Sequence, residues 1–166
     1  MICARLLLVS SLVLALPAFA QSPAPATPSK PAKKMLTDNV PVRISQAWAR
    51  VTAPGAQTGA VYMKVEASSP VQLVQAESDI SKSAELHEMK MADGVMQMRP
   101  ISPIEINPGK PVEFKPGGYH VMLMQLKRPI VAGELVPVRL TFVKPDNQIF
   151  TTSVAAMGAE KAPGRN

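Results

Sequence analysis

The sequence predicts an all-β protein, a two-sheet sandwich or a barrel, and three observations carry that expectation. Proline makes up 17 of the 166 residues, about twice the usual share, which favours turns over long helices. No stretch repeats its apolar residues at the 3.6-residue helical period. From Val40 onward, short alternating runs are separated by Pro, Gly, Asn and Asp, the pattern of half-buried strands. With 46% apolar residues, the chain can bury one core of ordinary size.

Residues 1–20 read as a secretory leader: Leu6 to Leu16 is apolar, Arg5 precedes it, and Pro17 with Ala18-Phe19-Ala20 forms a small-x-small cleavage site. The apolar run is shorter than the ~20 residues that span a bilayer, so cleavage after Ala20 and release to the periplasm are expected, with no stable membrane insertion afterwards. Residues 21–39 are rich in Pro, Ala, Ser and Lys and read as a flexible linker. The folded domain is expected over 40–157, with a disordered tail at 158–166. Within it, strands are expected at 42–50, 58–66, 71–77, 84–91, 95–99, 104–106, 111–114, 119–126, 134–143 and 149–155. Ten short strands in so short a domain fit a sandwich or barrel.

Composition narrows the function. Cys3, in the leader, is the single cysteine, so the exported chain would have neither disulfides nor thiolate metal sites. The formal charge of +6 lacks a basic stripe interleaved with aromatics, which argues against nucleic acid. There is no glycine-rich phosphate loop and no Ser/His/Asp set, so a binding protein is expected, not an enzyme. Gly117-Gly118, just before a strand, reads as a turn.

The chemistry concentrates in one region. Six of the ten methionines lie between Met89 and Met124, and both histidines, His87 and His120, are in the same part of the chain. Asp93-Gly94 is a favoured two-residue type I′ turn between alternating runs. It would pair Met91 with Met96, Met89 with Met98 and Glu88 with Arg99. His87, Met89, Met91, Met96 and Met98 would then share one face, and Glu88, Lys90, Gln97 and Arg99 the other. His87 and Met98 become diagonal neighbours roughly 7 Å apart at the backbone, near enough for their side chains to meet at one ion. A one-residue slip would turn Met98 away. In 118–124, period-two geometry presents His120, Met122 and Met124 on one face. Imidazole plus thioether is a soft, neutral donor set that favours Cu(I), with Cu(II) second, while a blue-copper centre would need a cysteine sulfur. The alternative is a Met-filled sheet face with no metal, because Met is a common filler of irregular gaps. Trp48 reads as a core residue, Arg50 as a charge at a strand end, and Tyr119 as a structural residue facing away from His120.

At these residues the sequence resembles the periplasmic copper-A chaperone (PCuAC) family, whose signature is His, ten residues, Met, twenty-one residues, then His-x-Met. His87, Met98, His120 and Met122 fit that spacing without a gap. Ala47-Trp48-Ala49-Arg50, Pro54-Gly55, Glu85-Leu86-His87, Val95 to Pro100 and Pro116 to His120 also look like that family, and the match spans about 42–152. The resemblance implies a cupredoxin-like Greek-key β-sandwich whose metal ligands are His87, Met98, His120 and Met122. It implies a Cu(I) chaperone that delivers copper to the binuclear copper-A site of a respiratory oxidase subunit, with a Sco-type thioredoxin-fold protein acting alongside. Copper scavenging for tolerance would use the same site. Some family members carry a His- and Met-rich C-terminal extension, whereas Met157 is the single such residue near this terminus.

Overall fold

The computed structural model describes residues 40–164, so the expected leader and the whole of the expected linker lie outside the described residues. Ten strands form in the expected order and no helix appears among the described residues: β1 (Val42–Arg50), β2 (Thr58–Ala67), β3 (Val71–Glu77), β4 (Ser83–Ala92), β5 (Val95–Pro100), β6 (Ile104–Ile106), β7 (Val112–Phe114), β8 (Tyr119–Met124), β9 (Leu135–Val143) and β10 (Ile149–Ala159).

Two ends differ from the expectation by more than one residue. β8 stops at Met124, where Gln125 takes a φ of 52° and breaks the extended backbone. β10 runs on to Ala159, so Gly158 and Ala159 are strand, although the sequence placed them in a disordered tail. The cause is long-range pairing: β10 lies parallel to β1, with Met157 beside Trp48, Gly158 beside Ala49 and Ala159 beside Arg50. Gly158 serves close packing there, since a Cβ at that position would fall 2.0 Å from the carbonyl oxygen of Val131.

The strands close a circuit. β4 pairs with β8, β8 with β2, β2 with β1, β1 with β10, β10 with β9, β9 with β3, and β3 returns to β4 through Ala76 and Ala84. The chain crosses the structure between β2 and β3 and again between β8 and β9, connections of Greek-key type. Inward positions alternate along each strand. Ala49, Val61, Val65, Leu73, Leu86, Val121, Leu123, Val138, Leu140 and Phe142 meet in one buried cluster. β5 pairs with β4 alone, so the β4–β5 hairpin extends beyond the closed circuit. That position makes its outer face a surface.

Candidate metal centre

The hairpin is built as its turn residues dictate. Asp93 and Gly94 have φ values of 52° and 77°, the left-handed pair that a type I′ turn requires. The register follows: Met91 lies opposite Met96, Met89 opposite Met98, Glu88 opposite Arg99 and His87 opposite Pro100. Since Leu86 points into the core, His87 and its alternating neighbours Glu85, Met89 and Met91 point outward.

β8 runs beside β4 and completes the face. His87 lies directly opposite His120 and Glu85 opposite Met122. The imidazole centroids are 5.7 Å apart, edge toward face. Met98 sits one diagonal step from His87 toward the hairpin turn, and Met122 sits two residues beyond His120 in the other direction. The four residues singled out in the sequence thus occupy one face of three adjacent strands, with the thioethers flanking the imidazole pair. Met89 shares that face directly across from Met98. Met91 and Met96 lie further toward the turn, and Met124 lies opposite Ser83, away from the histidines.

Hydrogen bonds divide the nitrogens of each ring. His120 Nδ1 donates to the Gly118 carbonyl at 3.1 Å, which leaves Nε2 with a lone pair. His87 Nε2 donates to Glu85 Oε2 at 2.9 Å, while His87 Nδ1 is buried with no hydrogen-bond partner. A buried ring nitrogen without a partner calls for an explanation, and a ligated ion supplies one. Metal-bound histidines characteristically donate their other nitrogen to a carboxylate or a backbone carbonyl, and both arrangements are present. Burial pushes the His120 pKa down and the nearby His87 adds to this, against the opposing Gly118 carbonyl, so His120 holds the neutral form that a ligand needs. Among the described residues, no group of three or more His, Cys, Asp and Glu gathers. The donor set here is accordingly imidazole and thioether, soft and uncharged.

Behind His120 the face becomes aromatic. Tyr62 lies 6.4 Å from His120 and Trp48 4.6 Å from Tyr62, centroid to centroid. Trp48 is buried, but it is paired with Tyr62 and lies on the side of β1 opposite the core residue Ala49. Its burial is as expected, and from that place it also backs the wall of the histidine site. Burial raises the Tyr62 pKa, and the positive charge of Arg50 opposes this. Arg50 is the charge at a strand end that was expected, the last residue of β1. Tyr119 faces away from His120 as expected, packing near Phe114. Glu85, Tyr62 and Trp48 received no site role from the sequence. Alternation back from His87 could have found Glu85, whereas Tyr62 and Trp48 depend on pairings visible only in the fold.

The family described as "Putative lipoprotein LpqE-like" matches residues 42–154, nearly the whole sandwich. This chain belongs to the LpqE-like family. One relative, a "Putative lipoprotein" of Leifsonia xyli subsp. xyli, is 33% identical over 102 residues, a segment that spans 61% of this chain and 61% of the relative. Among solved structures, CuI-DR1885 from Deinococcus radiodurans is 30% identical, with a TM-score of 0.53 over 81% of this chain and 89% of that one. The copper-bound PCuAC domain from PmoF2 is 22% identical, with a TM-score of 0.54 over 72% of this chain and 95% of that one, a likeness of fold. The resemblance to PCuAC proteins read from the sequence is borne out, and so is the cupredoxin-like β-sandwich. In this LpqE-like chain, His87, Met98, His120 and Met122 lie on the face formed by β5, β4 and β8 of that sandwich.

Proposed function

We propose that this protein is a Cu(I) carrier of the cell envelope, with His87, Met98, His120 and Met122 as the ligands of its cargo. The observation that carries the reading is the imidazole pair, each ring with one nitrogen committed to a hydrogen bond and one lone pair left, flanked by two thioethers on an open sheet face. The copper named for DR1885 and for the PmoF2 domain supports it. In this reading the leader is removed after Ala20 and the linker trails from the released domain in the periplasm. The protein is no enzyme, since the role requires only binding and release.

Transfer follows from unequal exposure. Met98 is 45% exposed whereas His120 is 3% exposed, so an incoming thiolate displaces the Met98 thioether first and the buried imidazole last. A neutral donor set adds no charge to balance Cu(I), which lets a thiolate acceptor win by ligand exchange. On the strength of the family resemblance, the destination is the binuclear copper-A site of a respiratory oxidase subunit, with a Sco-type thioredoxin-fold protein as co-worker.

The test is a Cu(I) titration against a competing chelator for the native chain, Met98→Ala and Met122→Ala, followed by mass spectrometry of an apo copper-A domain mixed with the loaded protein. Weakened affinity in both variants and transfer of the ion are expected. Unchanged affinity in both would sink the ligand assignment, and copper that stays put would sink the delivery role.

A further inference from the structure

The hairpin carries more sulfur than the histidine site uses. Met89 faces Met98 and Met91 faces Met96 across β4 and β5, all four on the outer face. Directly opposed side chains have Cβ atoms about 4.5–5.5 Å apart, so the four thioethers form a two-by-two array. Met91 is 60% exposed and Met96 46%, so neither serves as core filling. A solvated strand face ordinarily takes polar residues, as the opposite face does with Glu88, Lys90, Gln97 and Arg99. Were the aim only apolar surface, Leu, Ile or Val would serve equally, yet between Met89 and Met98 each outward position of the array is methionine. What methionine adds over those residues is a flexible, soft sulfur donor.

We propose a second soft-metal site on this hairpin, formed by Met89, Met91 and Met96, with Met98 shared between it and the histidine site. Its ligand is Cu(I), or Ag(I) as a chemical mimic, because thioethers alone offer nothing to hard cations. Successive outward positions along a strand are about 7 Å apart, so an ion on the outer site lies one such step from His87 and passes inward by exchanging one thioether at a time. The outer site is neutral, exposed and weaker. It takes the ion first and gives it up to the imidazoles. The hand-over rests on the function proposed above, whereas the outer site itself does not.

The experiment is an anaerobic Cu(I) titration of the whole chain labelled with 13C at the methionine methyls, read by NMR and by bound copper. In the native chain, a second equivalent should shift the Met91 and Met96 methyls. The variant with Met91→Leu and Met96→Leu, which conserves volume and apolarity, should lose one of two equivalents. The variant with His87→Ala and His120→Ala should lose the other and still show the Met91 and Met96 shifts. Methyls of Met91 and Met96 that stay unmoved through two equivalents would overturn the outer site, as would a leucine variant that retains both equivalents. Failure of the histidine site looks different: the alanine variant would bind as much copper as the native chain while the hairpin methyls still move.

Discussion

Removing the Glu85 carboxylate should weaken Cu(I) binding although Glu85 is not among the proposed ligands. Its Oε2 accepts from His87 Nε2 at 2.9 Å, and that bond fixes the tautomer in which the buried Nδ1 carries the lone pair. Partners of this kind typically contribute 10–100-fold to metal affinity. The Glu85 side chain is 49% exposed, so water competes for the bond and the lower end applies: Glu85→Ala should weaken Cu(I) binding about 10-fold, or roughly 1.4 kcal/mol. Glu85→Gln keeps an acceptor oxygen without the charge and should lose only about half of that free energy, roughly 3-fold in affinity. Chelator competition measures both, with Glu88→Ala as the control because Glu88 lies on the opposite face, next to Tyr119. Native affinity in Glu85→Ala, or an equal loss in Glu88→Ala, would refute the assignment of His87 Nδ1 as the ligand atom.

Other expectations concern the scaffold. Gly158→Ala drives a methyl into the Val131 carbonyl and should destabilise the fold by about 3 kcal/mol or more, read by urea unfolding; a native midpoint would show that the segment carrying Val131 does not pack on β10 so closely. Leu86→Ala should cost about 2–5 kcal/mol, because Leu86 is buried in the core cluster, while His87→Ala next to it should act chiefly on metal affinity. The metal-free protein should lose stability in acid. The His120 pKa is lowered in the folded state, chiefly by burial, from an ordinary value of 6.5. Above that value the ring is neutral whether folded or unfolded. Below it the unfolded chain takes up a proton that the folded chain resists, so stability falls as pH falls. His120→Gln should flatten that decline between pH 7.5 and 5.5, and an unchanged slope would show that His120 does not cause it.

How much was legible in the sequence depended on the range of the interaction. The hairpin register was legible because Asp93 and Gly94 take φ values that few residue pairs tolerate, and two residues of turn then settle every pairing from Ala92–Val95 to His87–Pro100. The shared face of His87 and Met98 follows from local geometry alone. The apposition of His87 and His120 does not, because it needs β8 to return beside β4 across 33 residues of chain. Spacing and resemblance pointed to it; no local rule did. Gly158 and Ala159 were placed in a disordered tail for the same reason, since their strand depends on β10 pairing with β1. Trp48 read correctly as buried, but its place beside Tyr62 and the histidine site needed the pairing of β1 with β2.

The period-two geometry of the strands separates stability from exchange chemistry. On β4 and β8, Leu86, Val121 and Leu123 point inward and hold the sandwich, while Glu85, His87, His120 and Met122 alternate with them and face out. A ligand can therefore leave the metal without leaving a hole in the core, and an acceptor can reach the ion without prising strands apart. The aromatic row of Tyr62 and Trp48 anchors the buried end at His120, whereas Met98 at the other end stands open to a partner. An ion held between a fixed imidazole and an exposed thioether has a defined direction of exit, toward the hairpin. That direction comes from the gradient of burial across the sheet, with no moving lid required.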